Sequence, residues 1–180
     1  MLKTKPSTGF PKTLLVEVAW EVCNQVGGIY TVIRSKAPAM AEHTNGPFCM
    51  IGPYVSKNIQ SELEPLNDVQ DVFGLAAANL RKRGYDVHYA EWLVTGKPKV
   101  VLLNPNVIED KALSVIKYLL WKNHGVTTPE ANPLLNQVVA FGYLTKLFID
   151  ELVKVSGKGQ PILAHFHEWM AGLPDRKSVV

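Results

Sequence analysis

The sequence predicts an α/β fold built on a mostly parallel sheet, and two observations carry that expectation. Short apolar runs at 14–18, 47–51, 99–103 and 161–164 have the near-continuous hydrophobicity of strands buried on both faces. Stretches with helical spacing separate them, and strands interleaved with helices fold into layered sheets with right-handed crossovers.

Each element follows from local pattern. Residues 1–13 are polar, with Pro6, Gly9 and Pro11, and read as a flexible leader. Leu14–Val18 is the first strand, although Glu17 interrupts its apolar run. Val26-Gly27-Gly28 breaks the chain before a helix from Ile29 to about Met40, in which Ile29, Val32, Ile33 and Lys36 recur at i, i+3 and i+4. Pro47–Ile51 is a second strand, closed by Gly52-Pro53. Residues 54–70 are polar and read as irregular. Leu75–Arg83 is helical and ends at Gly84, a suitable C-cap. The strands at 86–92 and 99–103 flank a Gly96-Lys97-Pro98 turn, so they form either a hairpin or two neighbouring strands. Helices follow at about 110–123 and 132–155, the second with Pro133 in its first turn. The last strand starts at Pro161 and ends in His165-Phe166-His167.

Composition narrows the function classes. Net charge is +3, from 19 basic and 16 acidic residues, which is too mild to argue for nucleic-acid or membrane binding. The densest basic cluster, Arg81-Lys82-Arg83, reads as a solvated helix end. Cys23 and Cys49 form neither a disulfide framework nor a CxxC metal motif, and two unpaired thiols fit a reducing cytoplasm. The N-terminus has no apolar signal core, and no apolar run reaches the ~18 residues of a membrane helix. A cytoplasmic location is the expectation.

In parallel α/β sheets ligands bind outside the carboxyl ends of the strands, and two motifs fall there. The first is Gly27-Gly28. A strand that ends in two glycines and opens a helix lets a backbone approach a ligand closely, and the helix N-terminus offers free N–H groups suited to a pyrophosphate. The pattern is neither GxGxxG nor a Walker sequence, and a plain tight turn explains it as well. The second is His165-Phe166-His167-Glu168-Trp169. His165 and His167 share a strand face. Three readings stand beside one another: a metal site, a metal-free polar cluster whose imidazole and carboxylate bond sugar hydroxyls beside Trp169, and a strand end whose Glu168 caps the next helix. HxHE is not the helical HExxH motif, and no further Cys or His ligand set is evident. Glu17 needs a partner and could serve structure or cleft equally. Trp20 reads as a packing residue, Trp92 and Trp121 as core or rim. His43, His88 and His124 read as structural.

Taken in order, EVAWEVCNQVGGIYTVI (17–33), IGPY (51–54), YDVHYAEWLVTGKPKVVLL (85–103) and HFHEWMAG (165–172) resemble glycosyltransferase family 3, the glycogen synthases of animals and fungi. The resemblance runs from about Leu14 to Leu173. It implies the Rossmann-like N-terminal, acceptor-side domain of a two-domain GT-B enzyme, here residues 14–174. It implies transfer of glucose from UDP-glucose to the nonreducing end of an α-1,4-glucan, with retention and without a metal or other cofactor. Gln25, Gly27 and Gly28 match the loop beside the donor phosphates. His167, Glu168 and Trp169 match the cleft wall beside the transferred glucose. Related bacterial and plant synthases carry Asp where this chain has Glu168. The family usually has Lys where this chain has Gln25, which weakens the expected hold on phosphate.

The catalytic residues and the main nucleotide pocket are expected in a second domain outside this chain, so UDP-glucose and ADP-glucose are not distinguished. Oligomerisation of the full-length parent is also open. Asp175–Val180 matches one translation frame of a common sequencing-adapter sequence, which gives the expectation of a non-native tail on a truncated chain. The competing function is a non-catalytic glucan- or protein-binding module.

Overall fold

The computed structural model describes residues 13–44, 46–67, 70–129 and 132–173. The expected 175–180 tail, and the leader apart from Thr13, lie outside them.

Apolar alternation along the strands sets the layers. Six strands, β1 (Leu14–Val18), β2 (Phe48–Pro53), β3 (Leu63–Pro65), β4 (Val87–Trp92), β5 (Lys99–Leu103) and β6 (Ile162–Phe166), form one sheet in the order β3-β4-β5-β2-β1-β6. β5, β2, β1 and β6 run parallel, while β4 pairs antiparallel with β5, and β3 antiparallel with β4. Strands 4 and 5 therefore make the hairpin that the Gly-Lys-Pro turn allowed.

One sheet face carries Val16, Val18, Cys49, Ile51, Val87, Tyr89, Val101 and Leu103. It packs on helices α2 (Val72–Lys82) and α4 (Pro133–Ser156) through Phe73, Leu80, Phe141, Leu144 and Phe148. Each large apolar side chain sealed there contributes roughly 1.5–3 kcal/mol. The other face carries Met50, Ala90, Trp92, Val100 and Leu102 under α1 (Gly28–His43), which supplies Tyr30, Ile33 and Ala37. Helix α3 (Asp110–His124) packs outside α4 through Leu113, Ile116 and Leu120.

Local chemistry fixes the helix ends. Asn132 accepts a hydrogen bond from the Leu135 N–H at 3.0 Å, and Pro133 occupies the first turn of α4. Asp71 caps α2 by accepting from the Gly74 N–H at 2.8 Å. Gly125 closes α3 in the left-handed region, at φ 66°.

Two differences from the sequence reading have physical causes. Residues 54–70 are not wholly irregular: a 3-10 turn spans Lys57–Glu62 and β3 follows it. Three-residue β3 is held by its pairing with β4, not by its own propensity. Strand β2 runs through Gly52-Pro53 instead of ending before them, in register with Leu102 and Leu103. A Cβ on Gly52 would lie 2.6 Å from Val22 Cβ, so the missing side chain lets the loop after β1 rest on β2.

The crossover after β1 goes to β2 on one side, and β6 arrives on the other. The carboxyl ends of β1 and β6 thus flank a topological switch point. The α1 side of β6 is left open, with Leu163 58% and His165 59% exposed.

Candidate functional site: a carboxylate cluster beside a capped glycine loop

Parallel register places Glu17 of β1 directly beside His165 of β6. The backbone N–H of His167 donates to the Val18 carbonyl at 2.9 Å, which carries the ladder one step past β6. The chain then turns sharply at Glu168, whose φ is 61° in a non-glycine residue. A short helix, α5 (Glu168–Ala171), follows, with His167 rather than Glu168 at its N-cap and no side-chain cap bond.

Glu17 is 2% exposed, and its Oε1 is the centre of the cluster. His167 Nε2 lies 2.5 Å from that oxygen and His165 Nδ1 3.5 Å from it. Lys36 of α1 forms an ion pair with the same oxygen, and its Nζ is 3.5 Å from His167 Nε2. The two imidazole rings are 4.3 Å apart. Glu17 Oε2 is buried and has no hydrogen-bond partner among the described residues.

The ligand atoms of Glu17, His165 and His167 all lie within 4.8 Å of one another, a two-histidine, one-carboxylate set that could hold a metal ion. Lys36 brings its ammonium to that set. The positive charge a buried carboxylate requires is thus already supplied by the chain itself.

The glycine loop lies at the same end of the sheet, where α1 begins. Gln25, Gly27 and Gly28 are exposed. The Gly27 N–H donates to Glu21 Oε2 at 2.7 Å, and the Tyr30 N–H donates to the same oxygen at 3.0 Å. Glu21 is 4% exposed and sits at the positive end of the helix, where a carboxylate is favoured. It takes two of the orphan donors that an incoming anion would otherwise use. The amides of Gly28 and Ile29 remain without an intrahelical acceptor. Gly28 is also unobstructed: a Cβ there would meet nothing within 4 Å.

The other sequence candidates separate cleanly. Glu168 and Trp169 are exposed, the indole by 61%. Trp20 packs edge-to-face on Phe141 at 5.6 Å, and Trp92 is fully buried with its Nε1–H donating to Glu62 at 2.9 Å. Trp121 is exposed on α3. His88 stacks on Tyr54 at 4.0 Å, and its Nε2 lies 3.0 Å from Asp86, consistent with a structural role. Arg81 and Arg83 end α2 in solvent as expected, and are tethered to the Val87 carbonyl and to Glu151. Both cysteines are buried and free, and burial pushes each thiol well above its ordinary value.

Lys36 and Glu21 had no assigned role in the sequence. Lys36 entered only as part of a helical pattern. Glu21 carried one usable signal, an acidic residue shortly before a glycine turn that opens a helix.

An open sheet whose polar side chains gather at the carboxyl ends of its parallel strands defines a Rossmann-like ligand-binding domain. The sequence assigns the family: the glycogen synthase family model matches residues 17–176. The chain is 38% identical over 162 residues to the liver glycogen [starch] synthase of Homo sapiens. It is 34% identical over 160 residues to glycogen [starch] synthase of Neurospora crassa, and 33% over 168 residues to isoform 1 of Saccharomyces cerevisiae. Each alignment covers 89% of this chain but only 22–23% of the relative. The chain belongs to the glycogen synthase family, whose members are glycosyltransferases, and spans about a fifth of the length of these relatives.

Proposed function

We propose that this chain forms the acceptor-side wall of a glucosyltransferase that moves glucose from UDP-glucose to the nonreducing end of an α-1,4-glucan, with retention, in glycogen synthesis. ADP-glucose is the other donor compatible with this wall. His167, Glu168 and Trp169 line the sugar side. Gln25, Gly27 and Gly28 border the donor phosphates, chiefly through the amides of Gly28 and Ile29, since Glu21 engages its neighbours. The groups that complete the transfer belong to a second domain of a longer parent, which works in the cytoplasm and can oligomerise.

The observation that supports this reading most is the anchoring of His167. Its main chain is bonded to Val18 at 2.9 Å and its ring to Glu17 at 2.5 Å, beside the exposed Trp169. A rigid polar group next to an exposed aromatic face suits a pyranose. Transfer needs donor, acceptor and stabilising groups in one geometry, and one wall does not supply them. Residues 1–180 alone are therefore expected to bind without turnover.

The test is an NMR titration of this chain with UDP-glucose and with maltoheptaose. Shifts are expected at Gly28 and Ile29 for the nucleotide sugar and at His167 and Trp169 for the glucan. Shifts confined to the cleft at the opposite end of the sheet, around Asp71 and Lys99, would overturn the reading. So would robust glucose incorporation into glycogen.

The exposed Leu163 and Trp169 favour one alternative, a non-catalytic glucan- or protein-binding module. Co-sedimentation with glycogen in the absence of any UDP-glucose affinity supports that module.

A further inference from the structure

We propose that the cleft at the amino ends of β1, β2 and β5 is a second ligand site, and that it takes a small amphipathic molecule with an apolar body and a carboxylate head. It lies at the opposite end of the sheet from Gly28 and His167 and does not depend on the function proposed for that end.

Leu14 opens β1, Phe48 opens β2 and Lys99 opens β5, so the parallel register brings three strand starts to one edge of the sheet. The last turn of α1 supplies one wall through Ala41, and the first turn of α2 another through Phe73. The Gly96-Lys97-Pro98 turn bounds a third side. The cleft measures about 610 Å3, within the roughly 300–1,000 Å3 of small-molecule sites. Its lining is mostly apolar, with Leu14, Phe48, Val72, Phe73 and Pro98 among it.

Hydrogen accounting shows what the polar groups in this lining can offer. Asp71 is fully engaged: its carboxylate accepts from the Gly74 N–H at 2.8 Å, the Tyr89 hydroxyl at 2.8 Å and the Lys99 ammonium at 2.5 Å. An ammonium has three donors, and Lys99 makes no second hydrogen bond among the described residues. Its side chain is 38% exposed, so a ligand can reach the remaining donors. Lys97 also lines the cleft, 3.5 Å from Glu64 and 3.9 Å from Glu91. Exposed pairs of that kind contribute little, and neither glutamate is part of the lining.

The helix ends allow negative charge here. The start of α2 favours an anion, and the carbonyl end of α1 would oppose one. Thr44 partly covers that end, since its N–H and its hydroxyl both donate to the Met40 carbonyl, at 3.2 and 2.8 Å. A group that satisfies the lysines must accept hydrogen bonds, and beside two ammonium groups an anion does so best. No arginine fork lines the cleft, so one carboxylate suits it better than a phosphate dianion.

NMR titrations of the whole chain with octanoate, octanol and octylamine at pH 7.5 test this. Octanoate should give saturable amide shifts at Leu14, Phe48, Phe73 and Lys99. Octanol has the same tail without the charge and should bind about tenfold more weakly, and octylamine more weakly still. Lys99→Met keeps the apolar stem and should bring octanoate down to the affinity of octanol. Ala41→Trp puts a large side chain at an exposed lining position and should abolish the octanoate response. The wild-type and Ala41→Trp titrations decide if Lys99→Met does not fold. The absence of a saturable octanoate shift overturns the proposal. So does equal or tighter binding of octanol or octylamine, or an Ala41→Trp titration identical to that of the wild type. UDP-glucose and maltoheptaose have no apolar tail and should leave these four amides unmoved. Movement there counts against the function proposed above, whereas an octanoate failure removes this site alone.

Discussion

Lys36 and His167 are 131 positions apart in the chain, yet their nitrogens come within 3.5 Å over one oxygen of Glu17. The contact joins α1 to the end of β6 across β1. It places the glycine loop, which caps α1, and the histidine strand end on the same face and at the same end of the sheet. Between Gly28 and Lys36 the helix rises only about 12 Å. A phosphate near the loop and a sugar near His167 would be neighbours at that scale.

Lys36 also brings charge to a site that otherwise has the ligands of a metal. Its replacement by Ala leaves Glu17, His165 and His167 with ligand atoms within 4.8 Å of one another and no built-in cation. Lys36→Ala is expected to lose stability in chelator and to recover it with Zn2+. At a hundredfold excess over the dissociation constant the recovery is about 2.7 kcal/mol. Thermal unfolding with and without Zn2+ checks this, and an equal response of wild type and variant refutes it.

Glu21 holds the entrance of α1 through the amides of Gly27 and Tyr30. Glu21→Ala removes a buried, charge-assisted cap and should cost about 1–2 kcal/mol, seen as a lower urea midpoint at unchanged slope. The same change frees two donors at the positive end of the helix. Inorganic pyrophosphate should therefore protect the variant against urea more than it protects the wild type. Equal protection would mean that Glu21 does not occupy an anion seat.

Most of the architecture was legible in the sequence because it is written in local pattern. The predicted 110–123 and 132–155 helices correspond to Asp110–His124 and Pro133–Ser156, and the 14–18 and 99–103 strands match β1 and β5. What was hidden is non-local. Strand β3 has three residues and exists through pairing with β4. The alternation of His165 and His167 was readable from the chain alone, and their rings do lie together. Their partner was not: Glu17 is 150 positions from His167, and only the β1–β6 register brings them together. Lys36 lay in a helical pattern that shows which residues share a face, but not what the face meets.

Asp71 gives the acid dependence of stability a definite sign. Burial works to raise its pKa, but Lys99, the Gly74 amide and the Tyr89 hydroxyl outweigh it, so the carboxyl lies below its ordinary value of 3.8. A depressed pKa in the folded state contributes stability that is fully present above that ordinary value. The contribution is lost as pH falls through the folded value. Asp71→Asn should lower stability at pH 7 by about 1 kcal/mol, from the weakened Lys99 and Tyr89 bonds. It should lose less than the wild type between pH 5 and pH 2. Urea unfolding across that range measures both effects, and parallel curves would rule out the linkage.

Gln25 is the position at which this chain departs from the lysine that its family resemblance implies. It is exposed in the loop before Gly27-Gly28, so its replacement costs little in packing. Gln25→Lys would add a cation to the exposed loop that leads into the amides of Gly28 and Ile29. An exposed charge pair contributes up to about 1 kcal/mol, so UDP affinity should rise by about 2- to 5-fold at low salt. The gain should shrink as salt rises, because the new interaction is screened by mobile ions. Titrations with UDP at 20 and 200 mM NaCl test both parts. A gain that ignores salt would point to a changed loop conformation. No gain at either salt would place the donor phosphates elsewhere than beside Gly28.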